Sequence, residues 1–184
     1  KETEDKINIY FTDGSKDTVD YLIVSDGVFS ETKSVIEKKI FKPIYYGAFA
    51  ARAQIASQDV SNINDNNISL IMGSNAHLVW YPVNQQKEIN LVCVVRKKVK
   101  DNNSMKMILE KTILGENKNL VNLFNRDLKS WPIYISNKPV KSIYTNVFYI
   151  GDAFYTFPPT LAQGASQAIE AANEIFELIS NNHT

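Results

Sequence analysis

The chain has 184 residues, enough for one domain with a substantial core, and its 44% hydrophobic and 22% charged content is that of an ordinary globular protein. Lys plus Arg and Asp plus Glu balance at 20 each, so there is no basic footprint for nucleic acid. The lone cysteine, Cys93, excludes a disulfide framework, His77 and His183 are too far apart for an evident zinc site, and no apolar stretch reaches membrane-spanning length.

From the N-terminus, Ile7–Thr12 alternates apolar and polar residues, and Asp13-Gly14 predicts a turn that pairs this strand with Tyr21–Val24 as a hairpin. Ser30–Lys39 reads as a short polar helix or loop. Tyr45–Ile55 is a strand of small residues that carries Arg52, a lone cation in an apolar run that needs either a partner or a solvent-facing position. Asn62–Asn67 is a loop. Ser69–Met72, His77–Val83 and Ile89–Lys97 form a meander, turning at Gly73-Ser74-Asn75 and Asn84–Lys87. Alternation sends His77, Val79 and Tyr81 to one face and Leu78 and Trp80 to the other. Leu91–Val95 is apolar throughout, which predicts a central strand with Cys93 buried in it and a reducing, cytoplasmic setting. Met105–Leu114 and Leu120–Leu128 look helical, and Ile133–Ser136 and Val147–Ile150 are further strands. Ala165–Ile179 is the best helix, with Ala165, Ala168, Ile169, Ala172, Ile175, Phe176 and Ile179 on one face.

Two short segments carry chemistry. Tyr149-Ile150 runs into Gly151-Asp152-Ala153, then Pro158-Pro159, then Gln163-Gly164-Ala165 at the head of the last helix. A carboxylate at a strand end beside a helix N-terminus suits a ligand with hydroxyls and phosphates: Asp152 accepts from hydroxyls, and first-turn N–H groups attract the anion. Small residues at Gly164, Ala165 and Ser166 allow close approach to the backbone. Upstream, Tyr21–Val24 feeds Ser25-Asp26-Gly27, with Ser30 and Lys33 following, which is at least a turn.

Together these segments resemble the FAD-dependent aromatic-ring monooxygenases of the salicylate hydroxylase and ubiquinone-biosynthesis type. The resemblance implies an α/β (α+β) fold: a mixed β-sheet substrate domain with the C-terminal part of an FAD-binding domain. Residues 1–43 and 141–184 would belong to the FAD-binding domain and 44–140 to the substrate domain. It implies that Asp152 binds the ribityl chain of FAD. Gly151, Pro158, Gln163, Gly164, Ala165, Asp26 and Gly27 would line the cofactor. Tyr155 stands where the family has His, Ala171 where it has Asp, Ser25 where it has Ala, and Lys33 where it has Arg. Lysine keeps the charge at that position and loses the planar fork.

By the same resemblance Arg52 reaches the flavin ring and substrate pocket as a catalytic cation, and Tyr81 either lines an aromatic substrate pocket or stands as a core tyrosine. The implied activity is hydroxylation of an aromatic or quinone-precursor ring with FAD, NAD(P)H and O2. Alternatives are a flavin-dependent isoprenoid reductase or epoxidase, and a non-catalytic remnant or interaction domain. No strand–Gly-x-Gly-x-x-Gly–helix unit occurs, and Gly-x-Ser-x-Gly and phosphate-loop patterns are also absent. The chain therefore reads as the middle and C-terminal part of a larger enzyme. Alone it is expected to be inactive and colourless, with an apolar docking surface open to self-association or peripheral membrane contact. The expected partner is a small aromatic substrate; neither nucleic acid nor a metal is expected.

Overall fold

The computed structural model describes residues 2–3, 6–60, 67–96, 107–111, 122–124 and 129–182. The chain divides into two compact units, Lys1–Ile44 with Tyr134–Thr184, and Tyr45–Ile133. The architecture is mixed α+β.

In the first unit, β1 (Glu2–Thr3), β2 (Lys6–Tyr10) and β3 (Lys16–Val19) form an antiparallel sheet. The predicted hairpin is thus corrected: β2 pairs with Lys16–Val19, not with Tyr21–Val24. The cause is local, because the Asp13 carboxylate accepts from the Ser15 N–H at 2.9 Å and turns the chain back at once. β4 (Leu22–Val24) instead pairs in parallel with β10 (Val147–Tyr149), with Leu22 opposite Val147 and Val24 opposite Tyr149. Between them in sequence come α1 (Glu31–Ile36) and, in the other unit, the large sheet. After β10 follow a one-turn helix, α2 (Gly151–Phe154), and the long helix α3 (Gly164–Asn182). Ile7, Val24, Val140, Val147, Tyr149 and Ala153 make this unit's core.

The second unit is built on a five-stranded sheet in the order β6 (Ser69–Met72), β7 (Ala76–Val83), β8 (Glu88–Val95), β5 (Ile44–Ala56) and β9 (Lys129–Ile135). β8 lies at the centre, as its apolar run requires, and β9 lies at the edge, where Pro132 is tolerated. Strand alternation gives the sheet two different faces. One presents Ala51, Ala53, Ile55, Leu78, Trp80, Leu91, Cys93 and Val95, packed with Leu109 and Phe124 into the larger core. The other packs Ala48, Ala50, Val94 and Ile133 with Tyr46.

Several boundaries shift. β9 begins at Lys129 and ends at Ile135, so Ser136 is outside it, and β10 ends at Tyr149 rather than Ile150. The expected apolar face of α3 is split. Ala168, Ala171, Ile175 and Ile179 are half-buried, while Ile169 and Phe176 remain 71% and 68% exposed. Packing against α2 selects the stripe through Ala168, so its neighbours on the flank face solvent. Residues 62–66 of the Asn62–Asn67 loop and most of the Met105–Leu114 and Leu120–Leu128 helices lie outside the described residues, as does His183; 107–111 and 122–123 are helical.

Cys93 is wholly buried on the central strand, and desolvation pushes its thiol up to about 12. At pH 8 the thiolate population is then roughly one in ten thousand, and access is closed as well. Native protein should label with a thiol-disulfide reagent far more slowly than denatured protein. Equal rates would contradict the burial of β8.

Candidate functional site

The short helix α2 begins where β10 ends. Gly151 adopts φ +55°, a left-handed conformation open to glycine, and a Cβ there would sit 3.4 Å from the Ala168 Cβ of α3. The strand therefore turns sharply into helix, and α2 can lie close on α3. Asp152 is accordingly in the first turn of a helix, and not at the strand terminus where the apolar run placed it. A one-turn helix has no internal partners for its carbonyls. Here each is met from outside or from the turn that follows. Gly151 O accepts from Tyr155 N–H at 3.0 Å, and Asp152 O accepts from Thr156 Oγ1 at 3.0 Å. Ala153 O accepts from Lys33 Nζ at 3.0 Å, and Phe154 O accepts from Val140 N–H at 3.2 Å.

Lys33 joins the two motifs. It is 3% exposed, its ammonium sits 5.2 Å from the Phe41 ring centroid, and desolvation lowers its pKa while the Asp26 charge opposes that shift. β4 and β10 are parallel, so Ser25-Asp26-Gly27 and Gly151-Asp152 both leave from the carboxyl ends of neighbouring strands. That is the end of a parallel sheet where ligands bind. Asp26 is partly engaged in structure: its carboxylate accepts from Thr32 N–H at 3.3 Å, within the first turn of α1. Desolvation alone would raise it, but the Ser30 and Thr32 hydrogen bonds outweigh burial and hold it below the usual aspartate value. Gly27 has φ +86° and accepts from Ser30 N–H, and nothing stands within 4 Å of where its Cβ would be.

Asp152 differs from Asp26. No hydrogen bond from the described residues reaches its carboxylate, and partial desolvation raises its pKa. The residue as a whole stays exposed, so solvent screening keeps that effect modest. Pro158 precedes a 3₁₀ turn, Pro159–Leu161, which closes on Ala162 at φ +52° and delivers Gln163 to the head of α3. Gln163 O accepts from Gln167 N–H, and Gly164 and Ala165 are exposed in the first turn, which carries no acidic residue. Nothing lies within 4 Å of a Cβ built on Gly164.

Arg52 and Tyr81 belong to the other unit. Alternation puts both on the sheet face opposite the larger core, Arg52 on β5 and half-buried Tyr81 on β7. Arg52 is not on an edge strand, since β5 lies between β8 and β9. Its Nε donates to Asn90 Oδ1, and Asn90 stands directly opposite Tyr81. Asn90 is the residue that reading the sequence missed, and its signal was an amide inside the otherwise apolar run Ile89–Val95. Lys33 was noted there for its charge, but its hydrogen bond to Ala153 O was not legible. Among the described residues no group of His, Cys, Asp and Glu is placed to hold a metal, and no helix is long and apolar enough to cross a membrane.

No protein-family model matches the chain. It is 24% identical over 173 residues to 3-amino-4-hydroxybenzoate 2-monooxygenase of Streptomyces cremeus, covering 92% of this chain and 43% of that protein. Among solved structures, a salicylate hydroxylase substrate complex superposes with a TM-score of 0.80 at 20% identity, over 100% of this chain and 51% of that one. The fold is that of the aromatic-ring hydroxylases. Klebsiella pneumoniae HpxO, complexed with FAD and uric acid, superposes with a TM-score of 0.73 at 18% identity, over 92% of this chain and 45% of its own. The chain thus spans about half the length of the proteins it matches.

Gly151 is the residue on which this local geometry turns. Gly151→Ala adds backbone strain of about 1–2 kcal/mol at φ +55°, while its Cβ would make an ordinary contact with Ala168. Thermal or urea unfolding should show a clear loss of stability, and an unchanged midpoint would contradict the left-handed turn at Gly151.

Proposed function

We propose that this protein is a flavin-dependent aromatic-ring monooxygenase in which the first unit contributes to holding FAD and the sheet of the second unit contributes to holding the ring to be hydroxylated. The observation that most supports the reading is the placement of both motif loops at the carboxyl ends of adjacent parallel strands, joined by the Lys33–Ala153 hydrogen bond.

The residues of the first unit fit a flavin nucleotide. Asp152 offers an exposed carboxylate with spare acceptor capacity for the ribityl hydroxyls. Gly164 and Ala165 expose first-turn N–H groups of the 19-residue helix α3, where an anionic group is favoured. Gly27 and Gly164 leave open space where side chains would otherwise stand, and Gly151, Pro158 and Gln163 shape the two turns between Asp152 and α3. Asp26 holds the Asp-Gly loop on α1 so that Gly27 faces the cofactor with its backbone.

When bound, FAD supplies the redox chemistry: NAD(P)H is oxidised, one atom of O2 becomes the new ring hydroxyl, and the other leaves as water. The protein supplies position, water exclusion and charge. Arg52 acts as the cation on the sheet face, stabilising negative charge on the oxygen of an activated ring, and Tyr81 adds an aromatic wall. The aromatic substrate is small, and the buried thiol of Cys93 suits a cytoplasmic enzyme.

Asp152→Asn separates this role from a structural one. Losing a charge-assisted pair of hydrogen bonds worth about 1.5–3 kcal/mol should weaken FAD binding roughly 10- to 100-fold. The folded carboxyl has a raised pKa, so its ionised form is disfavoured on folding and removing the charge at pH 7 removes no stability. Flavin fluorescence titration with parallel melting curves should show weaker binding at an unchanged or slightly higher Tm. Unaltered FAD affinity would overturn the assignment of Asp152.

A further inference from the structure

Asn90 is 1% exposed on the central strand of the second unit, flanked in sequence by Ile89 and Leu91. Its Oδ1 accepts from Arg52 Nε, whereas its Nδ2 is buried and meets no hydrogen-bond partner among the described residues. A buried amide left half-satisfied is unfavourable, and an apolar residue of similar size would fill the site without that penalty. The neighbouring polar pair shows no shared network that would account for it: Gln54 Nε2 donates to Glu88 at 2.8 Å. What the amide does is fix the guanidinium. With Nε engaged, the Nη groups of the exposed Arg52 are left for a further partner on the sheet face that also carries Tyr81. A guanidinium with a free pair of Nη groups is matched to a planar oxyanion.

We propose that Asn90 is a positioning residue, which anchors Arg52 by its Nε so that the Nη groups receive the carboxylate or phenolate oxygen of an aromatic ligand beside Tyr81. The ligand class rests on the proposed hydroxylase function, whereas the anchoring rests on the hydrogen bond alone.

The test uses nitrogen-15 NMR of the arginine side chains in the protein, with the Arg52 Nε–H signal assigned by its loss in Arg52→Lys, and benzoate titration as the ligand probe. In the wild type that Nε–H should exchange slowly with solvent. Asn90→Leu should make it exchange rapidly, and Asn90→Asp, which keeps the acceptor, should preserve it. Asn90→Leu should remain folded and bind benzoate about tenfold or more weakly, with neutral benzamide little affected. A folded Asn90→Leu protein whose Arg52 signal stays protected, or whose benzoate affinity is unchanged, overturns the inference. Failure of the wild type to bind benzoate, with slow Nε–H exchange still dependent on Asn90, overturns the oxyanion-binding half of the inference and supports the anchoring, while the hydroxylase reading stands or falls on the FAD titration.

Discussion

The geometry of the first unit depends on how four carbonyls are satisfied. A helix of one turn cannot meet its own hydrogen-bonding needs, yet Gly151–Phe154 is held by Tyr155, Thr156, Lys33 and Val140, one partner for each residue. Three of those partners are local or uncharged. Lys33 is neither, and hydrogen bonds to charged groups are worth about 1.5–3 kcal/mol, more than a neutral pair. It also comes from the far end of the sequence, so it fixes the Asp-Gly loop and the Gly-Asp loop against each other. Arginine at this position would offer a fork to a planar acceptor; a lysine delivers one compact charge to one carbonyl, and that suffices here.

The two aspartates of those loops have diverged because their surroundings differ. Asp26 accepts from the Thr32 N–H in the first turn of α1, and the Ser30 and Thr32 hydrogen bonds favour its ionised form. Asp152 has no such donors, and desolvation works against its charge. A carboxylate that the fold neither pairs nor favours is one that a ligand can satisfy. The second unit makes the same distinction by faces. Both faces pack apolar side chains, and the one opposite Cys93, Leu91 and Trp80 carries Arg52, Asn90 and Tyr81 as well.

Much of this was legible from residue pattern. Period-two alternation on His77–Tyr81 and the unbroken apolar run Leu91–Val95 identified the meander and its central strand, because side-chain direction in a strand is fixed by the pleat. Long-range partners were not legible. Val24 finds Tyr149 across more than a hundred residues, and nothing in Tyr21–Val24 itself distinguishes that partner from the nearer β2. The helix Gly151–Phe154 was missed because a single turn has no periodicity to detect, and its stability comes wholly from outside it. The exposure of Ile169 and Phe176 was missed for a related reason: amphipathic spacing gives a broad apolar arc on α3, and only the contact at Gly151 decides which stripe of the arc is used.

A crystal structure of the protein with bound FAD is the direct test of the proposed flavin site at the Gly-Asp loop. The Asp152 carboxylate should lie within about 2.6–3.2 Å of ribityl hydroxyls, with the Gln163–Ala165 turn against the same cofactor. FAD bound elsewhere, with Asp152 in contact with solvent alone, would contradict it.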